Sequence, residues 1–141
     1  MSAENLKIAE EYLDAMNNRN LGALAKHLHA QLNFKSPLAN SNDLEGFLEI
    51  SKKLFILLKR VEIRAKFEAH NQTLLIYDMV FPEPLGHARS FNWMAFEPPE
   101  SLRAGEWGKI KAIEVLYDPR PFEKFFASQP AHPASGISSP R

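Results

Sequence analysis

Four side chains in this sequence could do chemistry in an apolar setting: Tyr12, Asn92, Asp78 and His87. Tyr12 lies on the apolar stripe of a helical segment, so its hydroxyl either finds one internal partner or is aimed at a ligand oxygen. Asn92 interrupts the run Phe91-Asn92-Trp93-Met94-Ala95-Phe96. A buried amide must be hydrogen-bonded, so it pairs with Tyr12, backbone, water or a ligand. Asp78 follows Tyr77 and is the only acid of another apolar strand. Its carboxylate is either a proton acceptor facing the interior or half of an outer ion pair with Arg89. One residue of register decides between them. With the bend centred on Pro82-Glu83, Tyr77 shares a face with Asn92, while Asp78 joins His87 and Arg89 outside. His87 is either a base at a cavity mouth or a solvent-facing strand residue. Met16, Phe34, Phe47, Phe55, Tyr77, Met94 and Tyr117 are candidates to line or fill an apolar cavity, with Ser36 as a further polar group.

Several other chemistries are excluded by composition. There is no cysteine among the 141 residues, which removes thiol nucleophiles, disulfides and zinc–thiolate sites. His27 and His29 are two apart and would leave a helix on different faces, while His70 falls in a turn and His132 near the end of the chain. No metal and no cofactor is expected. The six glycines are scattered and build no phosphate loop. Seventeen basic and seventeen acidic side chains cancel, which argues against nucleic acid or an anionic membrane as partner. The longest apolar run, Leu54-Phe55-Ile56-Leu57-Leu58, is far below the ~20 residues of a bilayer span. The N-terminus lacks a basic, apolar leader, so a cytoplasmic protein is expected.

These residues need elements to position them. Leu6, Ala9, Tyr12, Leu13 and Met16 repeat at helical spacing behind Ser2, until Asn17-Asn18-Arg19-Asn20 breaks the pattern. Asn20 then caps a short helix carrying Leu21, Leu24, Ala25 and Leu28. Leu32 to Ser36 reads as a short edge strand stopped by Pro37, and residues 39–42 as a polar loop. Asn42 and Glu45 resemble a capping box for a third helix, with Leu44, Phe47, Leu48, Leu54, Phe55 and Leu58 inward and Lys59-Arg60 at its end. From residue 61 the period becomes two: Val61, Ile63, Ala65, Phe67 and Ala69 are expected on one face of a strand. After a His70-Asn71 turn come strands over 73–81 and 87–97, both apolar on two faces. A loop over 98–105 and a turn at Trp107-Gly108-Lys109 lead to a last strand, Ile110 to Tyr117. A helical turn follows at Phe122 to Phe126. The expectation is an α+β domain over residues 1–127, with a Pro/Ser-rich tail over 128–141. Three helices would cover one face of a curved antiparallel or mixed sheet and leave a cone-shaped hollow.

This layout resembles the nuclear transport factor 2-like superfamily, a cystatin-like roll, and within it the SnoaL-like and ketosteroid-isomerase-like group. The resemblance runs over about residues 5–126. It rests on Glu11-Tyr12-Leu13, Asn20-Leu21-Gly22-Ala23-Leu24, Phe34-Lys35-Ser36-Pro37-Leu38, Glu45-Gly46-Phe47, Gly108-Lys109-Ile110 and Tyr117-Asp118-Pro119-Arg120-Pro121. It implies a small apolar, oxygen-bearing ligand, such as a ketone, phenol or polyketide-like ring. It also implies a homodimer through the outer sheet face. In ketosteroid isomerase an Asp base works with a Tyr and a protonated Asp that hydrogen-bond the enolate oxygen. By resemblance Tyr12 takes the place of that tyrosine, Asn92 that of the protonated aspartate, and Ser36 that of the base. A serine cannot accept the proton unaided, so two readings follow. One is an isomerase- or cyclase-type enzyme using Asp78 or His87 instead; the other is a ligand-binding or assembly domain without catalysis.

Overall fold

The computed structural model describes residues 2–98 and 109–127, in the order α1 (Ser2–Asn17), α2 (Leu21–Ala25), β1 (Leu28–Lys35), β2 (Asn40–Ser41), α3 (Leu44–Leu57), β3 (Arg60–Ala69), β4 (Gln72–Val80), β5 (His87–Phe96), β6 (Ile110–Leu116) and α4 (Arg120–Ala127). Most of the loop after Pro98, Trp107-Gly108, His132 and the tail lie outside the described residues. The six strands form one sheet in the order β2-β1-β6-β5-β4-β3. It is mixed: β1 runs parallel to β6, and every other neighbouring pair is antiparallel. Helices α1 and α3 cross its inner face, burying Ile8, Ala9, Tyr12, Leu13, Met16 and Phe47 against Leu75, Tyr77, Met94 and Ile113.

Helix boundaries follow from local hydrogen-bond needs. Asn20 caps α2 by accepting from the Ala23 N–H at 3.0 Å, and Arg19 before it sits at φ 54. The guanidinium of Arg19 then reaches across to the carbonyls of Leu58 and Lys59 at 2.8 and 3.1 Å, satisfying acceptors beyond the end of α3. For α3 the cap is Asp43, not Asn42: its carboxylate accepts from the Gly46 N–H at 2.7 Å. Gly46 has a reason to be glycine, because a Cβ there would sit 2.3 Å from the Ser41 Oγ. Leu28 belongs to β1 instead of α2, and Arg60 opens β3 instead of closing α3. Asn40–Ser41, expected as loop, pairs with Phe34 and Lys35, which places β1 inside the sheet instead of at its edge.

The largest departure from simple alternation is in β3. Its pairing with β4 shifts between Ile63 and Ala65, leaving Arg64 as the extra residue of a β-bulge. Val61 and Ile63 therefore lie opposite Met79 and Tyr77 on the helix side. Beyond the bulge it is Lys66 and Glu68 that pair with Leu75 and Thr73 on that side. Lys66 confirms the side by meeting Glu10 of α1 at 2.5 Å. Ala65, Phe67 and Ala69, expected to follow Val61 and Ile63, point to the opposite, convex face.

Replacing Asp43 by alanine is expected to cost about 1 kcal/mol in urea unfolding. Replacing Asn42, which the capping box would have favoured, should stay within about 0.5 kcal/mol.

Candidate functional site

Strands β4 and β5 pair so that Leu75 faces Asn92, Tyr77 faces Ser90 and Asp78 faces Arg89. Alternation then puts Thr73, Leu75, Tyr77 and Met79 inward with Ser90, Asn92 and Met94, and sends Asp78, His87 and Arg89 outward. The inner group meets Tyr12 from α1. Asn92 is 0% exposed and donates through Nδ2 to the Tyr77 hydroxyl at 3.2 Å. It also faces the Tyr12 hydroxyl, which it partly stabilises in its charged form. Two phenols and one carboxamide thus converge in the interior.

Burial dominates their electrostatics. It pushes the Tyr12 phenol well above its ordinary value, with the neighbouring Tyr77 adding to the effect. Tyr77 is pushed up to about 12 by the same desolvation, although Asn92 works against it. Both are neutral at any physiological pH, so each offers a hydroxyl proton and neither offers a base. The Oδ1 atom of Asn92 is buried without a hydrogen-bond partner, as is Oγ1 of Thr73 one diagonal along the same face. A buried unpaired polar group is costly, so a donor that reached the Asn92 oxygen would relieve that cost.

The structure brings some expected residues together and sends others away. Phe47 stacks over Tyr12 at 6.4 Å between centroids, Phe34 meets Phe47 edge-on at 4.9 Å, and Met16 and Met94 are buried alongside. Phe55 is only half-buried. Ser36 is held in its own loop, donating to the Ala39 carbonyl at 2.7 Å and accepting from the Ala39 N–H at 3.1 Å. Nearby is Tyr117, a half-buried phenol that desolvation shifts upward and that Ser36 acts to lower. Tyr117 packs on Phe122 at 5.5 Å and lies near enough to Tyr77 to add to the upward push on that phenol.

As proton movers, Asp78 and His87 are corrected by geometry. The Asp78 carboxylate lies on the convex face, gripped by Arg89 at 2.5 Å and Arg64 at 2.9 Å. Those two guanidiniums, Arg89 foremost, hold its carboxyl below the ordinary range despite burial. It is an ion-pair anchor turned away from Tyr12. His87 pairs with Val80 at the strand end and is exposed on the same outer side. Arg64 as a partner of Asp78 was not foreseeable, because the bulge that aims it leaves no trace in a two-residue period. Among the described residues no three His, Asp or Glu side chains could hold a metal, and no helix is long and apolar enough to cross a membrane.

Two concavities stand out, and neither is lined by Tyr12, Tyr77 or Asn92. One of about 250 Å³ lies between α1 and α2, beside the Glu11–His27 contact of 2.8 Å. The other, of about 580 Å³, is a groove on the convex face lined by Phe67, Leu74, Phe91, Trp93, Leu116 and the carboxylate of Glu114, among others. Trp93 is 50% exposed there and is oriented by its indole N–H donating to Gln72 at 2.8 Å.

In sequence the chain matches no protein-family model and no curated protein. In structure it is similar to a nuclear transport factor 2-like protein of unknown function from Cytophaga hutchinsonii, with a TM-score of 0.65 and 23% identity over 82% of this chain and 91% of that one. It is also similar to a SnoaL-like protein of unknown function from Burkholderia thailandensis, with a TM-score of 0.63 and 14% identity over 79% and 92%. A de novo designed protein with a curved β-sheet superposes at 0.69, with 20% identity over 90% and 95%. The chain has the nuclear transport factor 2-like fold, an α+β cone whose mixed sheet curves around a helical lid. Its solved neighbours include SnoaL-like proteins, and at these identities the likeness is one of fold.

Replacing Asp78 by asparagine should lower the melting temperature by about 3–6 °C at pH 7. Because the folded carboxyl titrates below its unfolded value, its contribution is complete above about pH 4 and is lost as pH falls through the lower folded value. Melting curves by circular dichroism should therefore show wild type and variant converging at acidic pH.

Proposed function

We propose that this chain binds a small, neutral, apolar molecule carrying a hydroxyl, and that it does so without moving a proton. The observation that carries this reading is the Asn92 Oδ1 atom, fully buried beside two phenols and lacking a donor. A guest hydroxyl would donate to that oxygen and accept from Tyr12 or Tyr77, and the surrounding Phe34, Phe47 and Met94 would hold its apolar body. The catalytic reading lacks an acceptor: Ser36 is tied to Ala39, and Asp78 to Arg64 and Arg89 on the far side of the sheet. Oxyanion-type donors with no base can hold a ligand but cannot start an isomerisation.

Phenols and cyclic alcohols are expected to raise the melting temperature of the wild-type protein by about 2–4 °C at saturating concentration. Matched ketones should raise it less, and Asn92→Leu should abolish the gain. If no compound shifts the wild type more than Asn92→Leu, the binding reading is wrong. Cyclic ketones incubated with the protein in D2O should gain α-deuterium no faster than without it; faster exchange would restore the catalytic reading.

A second copy of the chain is our proposal for the convex face. Phe67, Phe91, Trp93 and Leu116 are 54, 41, 50 and 58% exposed and lie on β3, β5 and β6 around the 580 Å³ groove, with Leu74 of β4 between Phe67 and Trp93. A contiguous apolar patch of this kind marks an interaction surface. Sedimentation at micromolar concentrations should show a dimer, and Trp93→Lys should give a folded monomer. A monomeric wild type at about 100 μM would remove this proposal, since stable interfaces form well below that concentration.

A further inference from the structure

The interior trio is closed off. Tyr12, Tyr77 and Asn92 are 3, 1 and 0% exposed, with Ser90 beside them at 0%, so any guest reaches them only if part of the fold moves. Resting on the binding reading above, we propose that the moving part is α4: a hinged strap whose Phe122 ring stoppers one end of the cone.

The sequence builds the hinge. Tyr117-Asp118-Pro119 joins β6 to α4, which opens with Arg120-Pro121, and the two prolines supply no N–H, so the chain cannot be stitched into a ladder at those positions. The bonds it does make are local. Arg120 folds back on Asp118 through Nε at 2.9 Å, Nη2 at 2.8 Å and its backbone N–H at 3.0 Å. The N–H groups of Phe122 and Glu123 both donate to the Pro119 carbonyl at 3.0 Å. All of these travel with the strap when it swings and hold nothing of it to the sheet.

The stopper is aromatic. Phe122 is the one buried residue of α4, with Phe125 half-buried and the rest of the helix exposed. Its ring meets Phe81 edge-on at 5.1 Å and Tyr117 at 5.5 Å. Phe81 stands just past the end of β4. From there the inner row of the sheet runs through Met79 and Ala88, then Tyr77 and Ser90, then Leu75 and Asn92. Removing Phe122 from between Phe81 and Tyr117 thus opens the sheet end from which Ser90, and behind it Asn92, are reached. An eight-residue helix with a single buried side chain is also the cheapest piece of the wall to release. Lifting α1 or α3 would instead expose Tyr12, Leu13 or Phe47, each packed into the main core.

The chain has no cysteine, so one introduced thiol reports alone. Ser90→Cys is nearly isosteric at a fully buried position. Its reaction with a dithionitrobenzoate disulfide reagent, followed across low urea concentrations, separates strap opening from global unfolding. With the native strap, labelling of Ser90→Cys should be slow and nearly independent of urea below the unfolding transition. Adding Phe122→Ala should speed it at least tenfold while keeping that flat dependence. Phe122→Leu serves in its place should the alanine variant not fold. Ile8→Val, a core change remote from the strap, should leave the rate in zero urea within about twofold. Labelling that rises steeply with urea in every variant, or that Phe122→Ala and Phe122→Leu fail to accelerate, overturns the strap. That outcome is distinct from failure of the binding reading, which rests on the ligand-induced melting shift and not on the thiol.

Discussion

The pairing of β4 with β5 sets Leu75 opposite Asn92 and Asp78 opposite Arg89, and the chemistry of the whole molecule hangs on that parity. A slip of one residue would exchange the faces. With β4 displaced, the carboxylate would enter the interior beside Tyr12, while Tyr77 would turn to the convex side. As built, the acid capable of taking a proton is neutralised by two guanidiniums on one side of the sheet. The groups capable only of hydrogen bonding converge on the other. The turn over Pro82 to Gly86 keeps this register. Phe81 donates its N–H to the Gly86 carbonyl at 2.8 Å, and Gly86 itself takes φ 67, a conformation that suits glycine.

Where the sequence could be read, the reason is short-range periodicity. Helical spacing from Leu6 to Met16 and from Leu44 to Leu58 was enough to place α1 and α3. The apolar runs placed β4 and β5, and the bend at Pro82-Glu83 favoured the observed facing of Tyr77 and Asp78. Tyr12 and Asn92 could be singled out because each is a polar group in an apolar stripe. What stayed hidden depends on pairing between segments. The bulge at Arg64 moves Phe67 across the sheet without altering any local pattern. Strand β2 is two residues of polar sequence that exist as a strand only because Phe34 and Lys35 lie beside them. Thr73, with its unpartnered hydroxyl, looks in sequence like any threonine in a strand. The cap of α3 fell to Asp43 over Asn42, a difference of one residue that only the backbone angles decide.

The bulge also divides the labour between the two faces. Upstream of it, Val61 and Ile63 line the helix side. Downstream, Lys66 reaches Glu10 on α1 while Phe67 joins Phe91 and Trp93 on the convex side. One inserted residue therefore ties β3 to α1 through a surface ion pair and completes the exposed aromatic patch. Arg64 itself, displaced by the insertion, becomes the second clamp on Asp78. A single irregularity in an edge strand thus gives the acid its second partner, ties β3 to α1 at the surface and adds a ring to the outer face.

The parallel contact of β1 with β6 joins residues 28–35 to residues 110–116. Strands β3 to β6, by contrast, follow one another as a meander of neighbours. Loop-closure entropy sets the order in which such contacts become worth forming. The meander can assemble early from contacts close in sequence, and the N-terminal strand docks onto it last. The chain therefore completes its sheet at the β1–β6 seam, the strand pairing that closes the longest loop.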